Sequence, residues 1–420
     1  MRIAIPLVAL TLLLLSGQAA RAGEGKIPKG KALKQLVHAY LDANFVERAK
    51  MRKTWDEELA PIDPKALPKL RKELLKITHK YGRKLAKGGT HNFYEDVKGK
   101  QGPGKYIIGS KPGKALFISL HGGGAGSGTA SAYMGGGGWG WIYPQVLKAT
   151  EHGWTDAGTE EFVMELIEAA KRTWKIDPNR IYITGHSMGG YGSWTLGAHH
   201  ADVFGGIAAY AGAPQCINKP GGGKEEYIAV TPGIIPNLYT MPLHFFQSGD
   251  DRNVHPAAND MAHEVLKEIK EQFPEGFNYR YDRVEGRGHA APSEGYLPSQ
   301  KWVASHPRNP RPKRFLWQPV LTWKRHFYWV YWSRPELESM IEVRTTGDNI
   351  IEIETHEGSG DVDSLSVLLG DPLVDLAKPV TIKVNGEQRF QGTVERTFST
   401  LMMTLPRNDP HLLFDARADI

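Results

Sequence analysis

The chain has 420 residues and a formal net charge of +6, with 40% hydrophobic and 23% charged residues. These values are typical of a folded globular protein and exclude a disordered or fibrous chain. The length predicts one large domain with one or two smaller units. Because the lysines and arginines form short, scattered groups, the charge does not indicate a nucleic-acid-binding protein.

Residues 1–22 predict a secretory signal peptide. Arg2 precedes an apolar run that ends at Leu15, and small residues follow up to Ala22, where we expect cleavage. The run is too short to cross a hydrocarbon layer of about 30 Å. We therefore expect a secreted or periplasmic protein with no stable membrane insertion after cleavage and a mature charge of +4, since two arginines and no acids are lost. A retained anchor or lipid attachment is the alternative.

Residues 23–89 predict an N-terminal helical extension. Leucines and other apolar residues recur at helical spacing on both sides of a proline-containing break at 61–64. We expect the many lysines to face solvent and the extension to pack on the domain that follows it. No residue pattern in this region indicates chemistry.

The pattern changes between residues 90 and 305, where short β-type runs alternate with helical stretches. This alternation predicts an α/β domain with a mostly parallel sheet covered by helices on both faces. Ligands bind such sheets outside the carboxyl ends of the strands. We predict strands at 105–108, 115–120, 180–184, 206–210, 243–247 and 278–284, and helices at 159–174, 189–199 and 256–272.

The remaining chain predicts a linker at 306–314 and a small C-terminal β-sandwich at 315–420. The linker is rich in proline and arginine, and we expect it to be solvated. Alternating apolar runs and turn signals indicate the sandwich. A group of aromatic residues at its start is expected to be buried, because large aromatics dominate cores and interfaces; an exposed row that stacks on sugars is the alternative. These residues are Trp317, Trp323, Tyr328, Trp329, Tyr331 and Trp332.

Ser187 lies in the strongest motif of the chain. It is the serine of a G-x-S-x-G sequence that follows a predicted strand and precedes a predicted helix. A serine on so sharp a turn needs neighbours without a β-carbon, and the following helix N-terminus offers N–H groups to a developing negative charge. The pattern predicts that Ser187 is a nucleophile.

A second motif predicts the oxyanion hole. The strand ending at residue 120 leads into His121 and then three glycines, which is the pattern of a loop that donates an N–H to an oxyanion. We expect Gly123, with Gly122 or Gly124 close by, to act together with the N–H of Met188. We expect His121 to hold the loop by hydrogen bonds rather than to act as the base.

An acid and a base should follow the serine in that order. The strand at 243–247 is followed by a turn that contains Asp250 and Asp251. The spacing in this turn favours Asp251 as the acid without excluding Asp250. His289 lies in a glycine-flanked loop after the last strand, where an imidazole can reach the serine. We expect the histidine pair His199 and His200 to lie at the surface. The histidine spacings show no zinc pattern of the H-E-x-x-H kind.

An insert at 135–144, rich in glycine and aromatic residues, follows the oxyanion loop. We predict that Trp139 and Trp141, together with His186, line the substrate pocket. A packing role beside the sheet is the alternative for the insert.

Residues 105–300 resemble the phospholipase/carboxylesterase and dienelactone-hydrolase branch of the α/β-hydrolase superfamily, close to feruloyl esterases and polyhydroxybutyrate-depolymerase-like enzymes. The segment 176–190 carries the most specific match. The resemblance implies a Ser-His-Asp hydrolase that needs no metal or cofactor. The acid turn departs from the family pattern by one residue, which leaves the aspartate open.

These observations predict a secreted serine hydrolase that cleaves carboxylic esters, such as acetyl or feruloyl esters of polysaccharides. A peptidase of the prolyl-oligopeptidase type has the same residue order, but the short helical N-terminal region contains no β-propeller. A carbohydrate-binding protein with a vestigial hydrolase domain is the second alternative. The sequence leaves the oligomeric state open.

Overall fold

The computed structural model describes residues 24–94, 102–110, 113, 115–214, 216–218, 227–358 and 362–420. The predicted signal peptide lies outside the described residues. Within these ranges, no helix combines the length and the apolar character needed to cross a membrane.

Three helices form the N-terminal region: α1 (Gly30–Asp42), α2 (Phe45–Glu58) and α3 (Leu67–Lys80). A capping box starts α2, because the side chain of Asn44 accepts from the N–H of Glu47 while the carboxylate of Glu47 accepts from the N–H of Asn44, at 3.0 and 2.8 Å. These three helices confirm that the N-terminal extension is helical, as predicted.

The central domain is built on an eight-stranded sheet. The last six strands in its spatial order are parallel to one another. Its order is β1-β2-β4-β3-β5-β6-β9-β10, and β7 pairs with β8 in a separate hairpin. The strands are β1 (Gly89–Asn92), β2 (Lys105–Ile108), β3 (Leu116–Leu120), β4 (Gly140–Pro144), β5 (Ile181–His186), β6 (Gly206–Tyr210), β7 (Cys216–Asn218), β8 (Tyr227–Val230), β9 (Leu243–Ser248) and β10 (Tyr279–Val284). The helices are α4 (Ser127–Tyr133), α5 (Thr159–Thr173), α6 (Met188–His199), α7 (Ala257–Gln272) and α8 (Leu297–Ala304), with a 3-10 turn at Pro236–Leu238.

Both faces of this sheet are covered, which explains the apolar runs in its central strands. Every residue of β3 and β6 is buried. Strands that are buried on both faces show continuous apolar runs rather than alternation. The topology confirms the predicted α/β-hydrolase fold class. The carboxyl ends of β3, β5, β9 and β10 lie at the same edge of the sheet, because these strands are parallel.

The C-terminal region contains two further sheets, of five and four strands. They face each other, since the ring of Trp317 in one sheet stacks on Phe327 of the other at 5.4 Å between centroids. A seven-residue helix, α9 (Phe398–Thr404), interrupts the β pattern and was not predicted. The elements are β11 (Arg314–Trp317), β12 (His326–Phe327), β13 (Val330–Trp332), β14 (Ile341–Gly347), β15 (Ile350–Thr355), β16 (Leu365–Leu369), β17 (Val380–Val384), β18 (Glu387–Gly392), α9 (Phe398–Thr404), a 3-10 turn at Leu405–Arg407, and β19 (Ala416–Asp419).

Five of the six aromatic residues at the start of this region are buried, as the burial interpretation predicted; Trp323 is 38% exposed. The row of rings that a stacking platform would require is therefore not present on the surface. The buried residues are Trp317, Tyr328, Trp329, Tyr331 and Trp332.

The N-terminal helices pack differently from the prediction. Leu33, Val37 and Trp55 share one apolar cluster with Phe398 and Leu401 of α9. The helical extension therefore uses the C-terminal domain as its main packing partner, because α9 supplies the apolar face that the α/β domain was expected to provide.

The prediction that the linker at 306–314 is solvated is also wrong for Arg308. Arg308 is only 5% exposed, and its guanidinium donates to Asn179 at 2.7 Å and to Asp409 at 2.6 Å. Because the buried charge is paired and hydrogen-bonded, the segment joins the two domains as part of their interface.

Candidate active site

Ser187 lies between β5 and α6 in a strained backbone conformation. Its φ of 61° and ψ of −126° are rare for a residue with a β-carbon. Close backbone approach explains the flanking glycines: a β-carbon on Gly185 would lie 2.3 Å from the carbonyl oxygen of Gly189, and one on Gly189 would lie 2.1 Å from that of Leu120. The local sequence therefore presents the serine side chain at the edge of the sheet.

The glycine loop after β3 lies directly against this turn. A β-carbon on Gly122 would be 3.4 Å from Cβ and 3.9 Å from Oγ of Ser187, and one on Gly123 would be 3.9 Å from Cβ of Met188. Gly124 has a φ of 66°, which lets the loop turn away after this approach. Met188 is the first residue of α6, so its N–H has no intrahelical acceptor.

His121 holds this loop, as the sequence predicted. Its Nδ1 is 2.8 Å from the carbonyl oxygen of Gly122, its Nε2 accepts from the N–H of Val146 at 3.3 Å, and its carbonyl accepts from Trp154. Burial lowers the pKa of His121, so the imidazole is neutral in this position.

His289 pairs with Asp251. Nδ1 of His289 lies 2.8 Å from Oδ2 of Asp251, whose side chain is fully buried, whereas the imidazole is 21% exposed. The other carboxylate oxygen accepts from the N–H groups of Asn253 and Val254 at 2.8 and 3.0 Å. The carboxylate is thus fixed by the backbone of its own turn and holds Nδ1 of the imidazole.

Asp250, the alternative acid, has a different set of contacts. Its Oδ1 accepts from the hydroxyl of Ser248 at 2.5 Å and from the N–H of Gly288 at 2.9 Å. These hydrogen bonds lower the pKa of Asp250 to about 2. Asp250 therefore anchors the loop that leads to His289 and does not contact the imidazole.

His186 links the elbow to the His289 loop. Its Nε2 is 3.1 Å from the carbonyl oxygen of His289, and the two rings are 5.0 Å apart. Nδ1 lies 3.2 Å from the hydroxyl of Tyr296. Burial, together with the neighbouring His289, lowers the pKa of His186 to about 4. A neutral His186 can accept from Tyr296 and donate to the His289 carbonyl at the same time.

The prediction that Trp139 and Trp141 line the pocket is not supported by their positions. Trp141 is 2% exposed and stacks on Phe117, and Trp139 packs on the same ring at 4.6 Å. Gly140 and Trp141 pair with the first two residues of β3, whereas the oxyanion loop follows its last residue. Since a strand rises ~3.3 Å per residue, the two tryptophans lie more than about 10 Å along the sheet from the loop. The second half of the insert forms β4, whose residues are all buried.

Three residues near the site were missed by the sequence analysis. Gln247 donates to Oδ2 of Asp251 at 3.1 Å, and Tyr296 and Tyr133 form a ring pair with centroids 5.8 Å apart next to His186. Gln247 carried a signal, because it is the polar end of an apolar strand just before the acid turn. The tyrosines come from separate helical segments and carried none.

The pair His199 and His200, expected at the surface, is buried. Nδ1 of His199 and Nε2 of His200 each lie 2.9 Å from one carboxylate oxygen of Glu160 at the start of α5. A buried carboxylate of this kind requires such partners. The two histidines stabilise a buried carboxylate in the interior of the domain and are not among the residues around Ser187.

The described part of the chain contains one group able to share a metal ion, formed by Glu342, Glu354 and His356. It lies on the C-terminal sheet. Arg344 donates to Glu342 at 2.7 Å and to Glu354 at 2.5 Å, so both carboxylates already have a guanidinium as a partner. This group contributes nothing to the edge of the sheet where Ser187 lies.

Part of the chain matches a known protein family. Residues 80–272 match the Esterase family, described as "Putative esterase". No curated protein matches the chain. The family match includes the elbow, the oxyanion loop and Asp251 and ends before His289.

Similar solved structures have low identity. A phospholipase/carboxylesterase from Dyadobacter fermentans DSM 18053 is 13% identical over 53% of this chain and 99% of its own, with a TM-score of 0.35. A CE1 ferulic acid esterase from the anaerobic fungus Anaeromyces mucronatus is 14% identical over 54% and 92%, with a TM-score of 0.38. SOBER1 from Arabidopsis thaliana is 18% identical over 46% and 99%, with a TM-score of 0.34. Scores of this size support no conclusion about this chain.

A strand-turn-helix elbow on a mostly parallel sheet, with a carboxylate and an imidazole following later strands, defines an α/β-hydrolase. Within that class, residues 80–272 match the esterase family. The central domain is therefore that of a carboxylic ester hydrolase.

Proposed function

We propose that this enzyme hydrolyses esters through an acyl-enzyme formed on Ser187. The hydroxyl attacks the ester carbonyl while His289 takes its proton, and the protonated imidazole then returns a proton to the leaving alcohol. Asp251 fixes the tautomer and stabilises the imidazolium. A water molecule, activated by the same imidazole, then releases the acid. The hydrogen bond between the buried carboxylate of Asp251 and His289, in a domain that holds Ser187 in a strained elbow, is the observation that carries the proposal.

The developing oxyanion is held by backbone N–H groups of Gly123 and Met188 in this proposal, with Gly122 alongside. Support comes from the close approach of the glycine loop to the turn at Ser187. One such donor is worth about 3 to 4 kcal/mol in serine hydrolases.

Replacement of the nucleophile tests the mechanism. Ser187→Ala should lower kcat for p-nitrophenyl acetate about a millionfold and leave the far-UV spectrum and the unfolding midpoint in place. Ser193→Ala is the matched control: this serine lies within α6, six residues after Ser187, and donates to the carbonyl of Gly189. Equal activity of the two variants would reject Ser187 as the nucleophile.

For the substrate, we propose esters carried by polysaccharides, with acetyl or feruloyl acyl groups. The rings of Tyr133 and Tyr296 support the aromatic acyl group, because two aromatic side chains, tilted 42° to each other, lie next to His186. Turnover of feruloyl, acetyl-sugar and short-chain esters should be compared on the same preparation. Hydrolysis of a dipeptidyl-nitroanilide without any ester turnover would instead establish the peptidase alternative.

We further propose export of the protein with cleavage after Ala22, supported by the sequence of residues 1–22. Intact-mass measurement of the protein from the culture medium or periplasm should give a chain beginning at Gly23. A chain that retains residues 1–22 would contradict this proposal.

A further inference from the structure

Trp154 lies between the oxyanion loop and helix α6. It belongs to the loop at 145–158, which joins β4 to α5, and its side chain is fully buried. The indole Nε1 donates to the carbonyl oxygen of His121 at 3.1 Å, and the centroids of the indole and the imidazole of His121 are 4.9 Å apart. His121 is the residue directly before the three glycines. The indole therefore holds the start of the oxyanion loop.

Gly192 forms the other side of this contact. A β-carbon on Gly192 would lie 2.6 Å from Cγ and 2.7 Å from Cδ1 of the indole. Glycine is an unfavourable residue inside a helix, because its backbone loses the most conformational freedom on folding. The absence of a side chain at this position of α6 lets the indole of Trp154 pack directly against the helix backbone.

The same loop contacts both halves of the proposed oxyanion hole at two further points. The N–H of Val146 donates to Nε2 of His121 at 3.3 Å. The hydroxyl oxygens of Thr155 and Tyr191 lie 2.8 Å apart, and the N–H of Tyr191 donates to the carbonyl oxygen of Ser187 at 3.0 Å. The loop is thus joined to the residue before the glycines and to the first turn of α6.

The two halves need such a contact, because each lies beyond the hydrogen-bonded ladder of the sheet. The pairing of β3 with β5 ends at Leu120 and Gly185. The proposed donors, the N–H groups of Gly123 and Met188, come after these residues. Both must lie about 2.7 to 3.1 Å from the same oxygen, and a displacement of about 1 Å can lower a rate about a hundredfold. A rigid group that touches both segments fixes this spacing.

We propose that Trp154 is a positioning residue for the oxyanion hole. Its indole lies between His121 and Gly192 and sets the distance between the N–H groups of Gly123 and Met188. This inference rests on the proposed acyl-enzyme mechanism and adds to it a residue outside the Ser-His-Asp triad. Because the side chain is fully buried, it does not touch the substrate. Its contribution is therefore expected in the transition state, where the charge develops, and not in ground-state binding.

Trp154→Phe tests the proposal, since phenylalanine keeps an aromatic ring and removes the N–H that the carbonyl of His121 accepts. We expect kcat for p-nitrophenyl acetate to fall about tenfold while KM changes less than about twofold. The affinity for a trifluoromethyl ketone, whose adduct with Ser187 carries an oxyanion, should fall by the same factor as kcat/KM. A residue with a purely structural role would lower the unfolding midpoint without this parallel loss.

Trp194→Phe is the matched control. Trp194 is also fully buried in the α/β domain, and its Nε1 has no hydrogen-bond acceptor among the described residues. The same substitution there should leave kcat and the affinity for the ketone within about twofold of the parent values. Gly192→Ala is the second test, because it adds the β-carbon that overlaps the indole and keeps both tryptophans. It should show the same joint loss of kcat and ketone affinity as Trp154→Phe.

Three results would overturn the proposal: an unchanged kcat in Trp154→Phe or, where that variant does not fold, in Gly192→Ala; a loss of kcat without a loss of ketone affinity; or an equal effect in Trp194→Phe. Fluorophosphonate labelling of the parent enzyme separates these results from a failure of the proposed mechanism. If Ser187 is labelled, only the role of Trp154 is rejected. An unlabelled Ser187 rejects the mechanism itself.

Discussion

Two clusters in the α/β domain bring a buried carboxylate to histidine. Asp251 holds one imidazole that is 21% exposed at the edge of the sheet. Glu160 lies between His199 and His200, whose side chains are 8% and 3% exposed. The first imidazole can exchange protons with a substrate, and the second pair is enclosed. A carboxylate–histidine contact therefore marks an active site only where the imidazole reaches solvent next to a nucleophile.

The electrostatic consequences of the two clusters also differ. Burial alone would raise the pKa of Glu160, but the adjacent His199 and His200 lower it to about 2. This carboxylate is therefore ionised throughout the neutral range and stabilises the folded chain. Asp251 is held instead by two backbone N–H groups and Gln247, which fix its position.

The largest expected effect separates Asp251 from its neighbour in the sequence. Asp251→Asn should lower kcat/KM for ester hydrolysis about 10⁴-fold, because the amide leaves His289 in the wrong tautomer. The unfolding midpoint should change little. Asp250→Asn is the matched variant and should lose about tenfold or less, since Asp250 only anchors the loop before His289. A reversed order would show that Asp250 is the catalytic acid.

A smaller effect is expected in the enclosed cluster. Glu160→Gln should lower the free energy of unfolding at pH 7 by about 3 kcal/mol, which corresponds to the depressed pKa of the carboxylate. Because the folded-state pKa lies below the usual 4.5, this stability is present above about pH 4.5 and is lost as the pH falls toward 2. Denaturant unfolding at several pH values measures it, and the variant should show a shallower acid dependence.

The activity of the Glu160→Gln enzyme provides the control. At a temperature where the variant is folded, its kcat/KM should equal that of the parent, since Glu160 contacts only the enclosed histidines. A large loss of kcat in the folded variant would mean that the two clusters are coupled.

The smallest effect concerns His186, which orients the His289 loop. His186→Phe should lower kcat about tenfold, because the loss of one hydrogen bond to the His289 carbonyl corresponds to about 1.4 kcal/mol. His186→Gln, whose amide can donate, should recover part of the loss. The pH profile of both variants above pH 5 should match the parent, since His186 is already neutral there. A shifted profile would instead assign His186 a proton-transfer role.

The sequence predicted those parts of the fold and site that depend on local signals. The glycines around Ser187 and the loop of His289 follow from turn geometry, and the strands that precede them follow from apolar runs. Trp141 could not be assigned, because only its register with β3 shows that it lies at the far end of the strand. The predictions for Arg308 and His199 were wrong because their burial also depends on contacts between distant parts of the chain. Their partners, Asp409 and Glu160, lie far away in the chain, and no local pattern indicates them.

The central claim is that Ser187 is a nucleophile activated by His289, and covalent labelling tests it most directly. A fluorophosphonate should add once per chain, and mass mapping should place the adduct on the peptide that contains Ser187. In His289→Asn the labelling rate should fall by at least about a hundredfold, because the serine loses its general base. Labelling on another residue, or an unchanged rate in the His289 variant, would contradict the account.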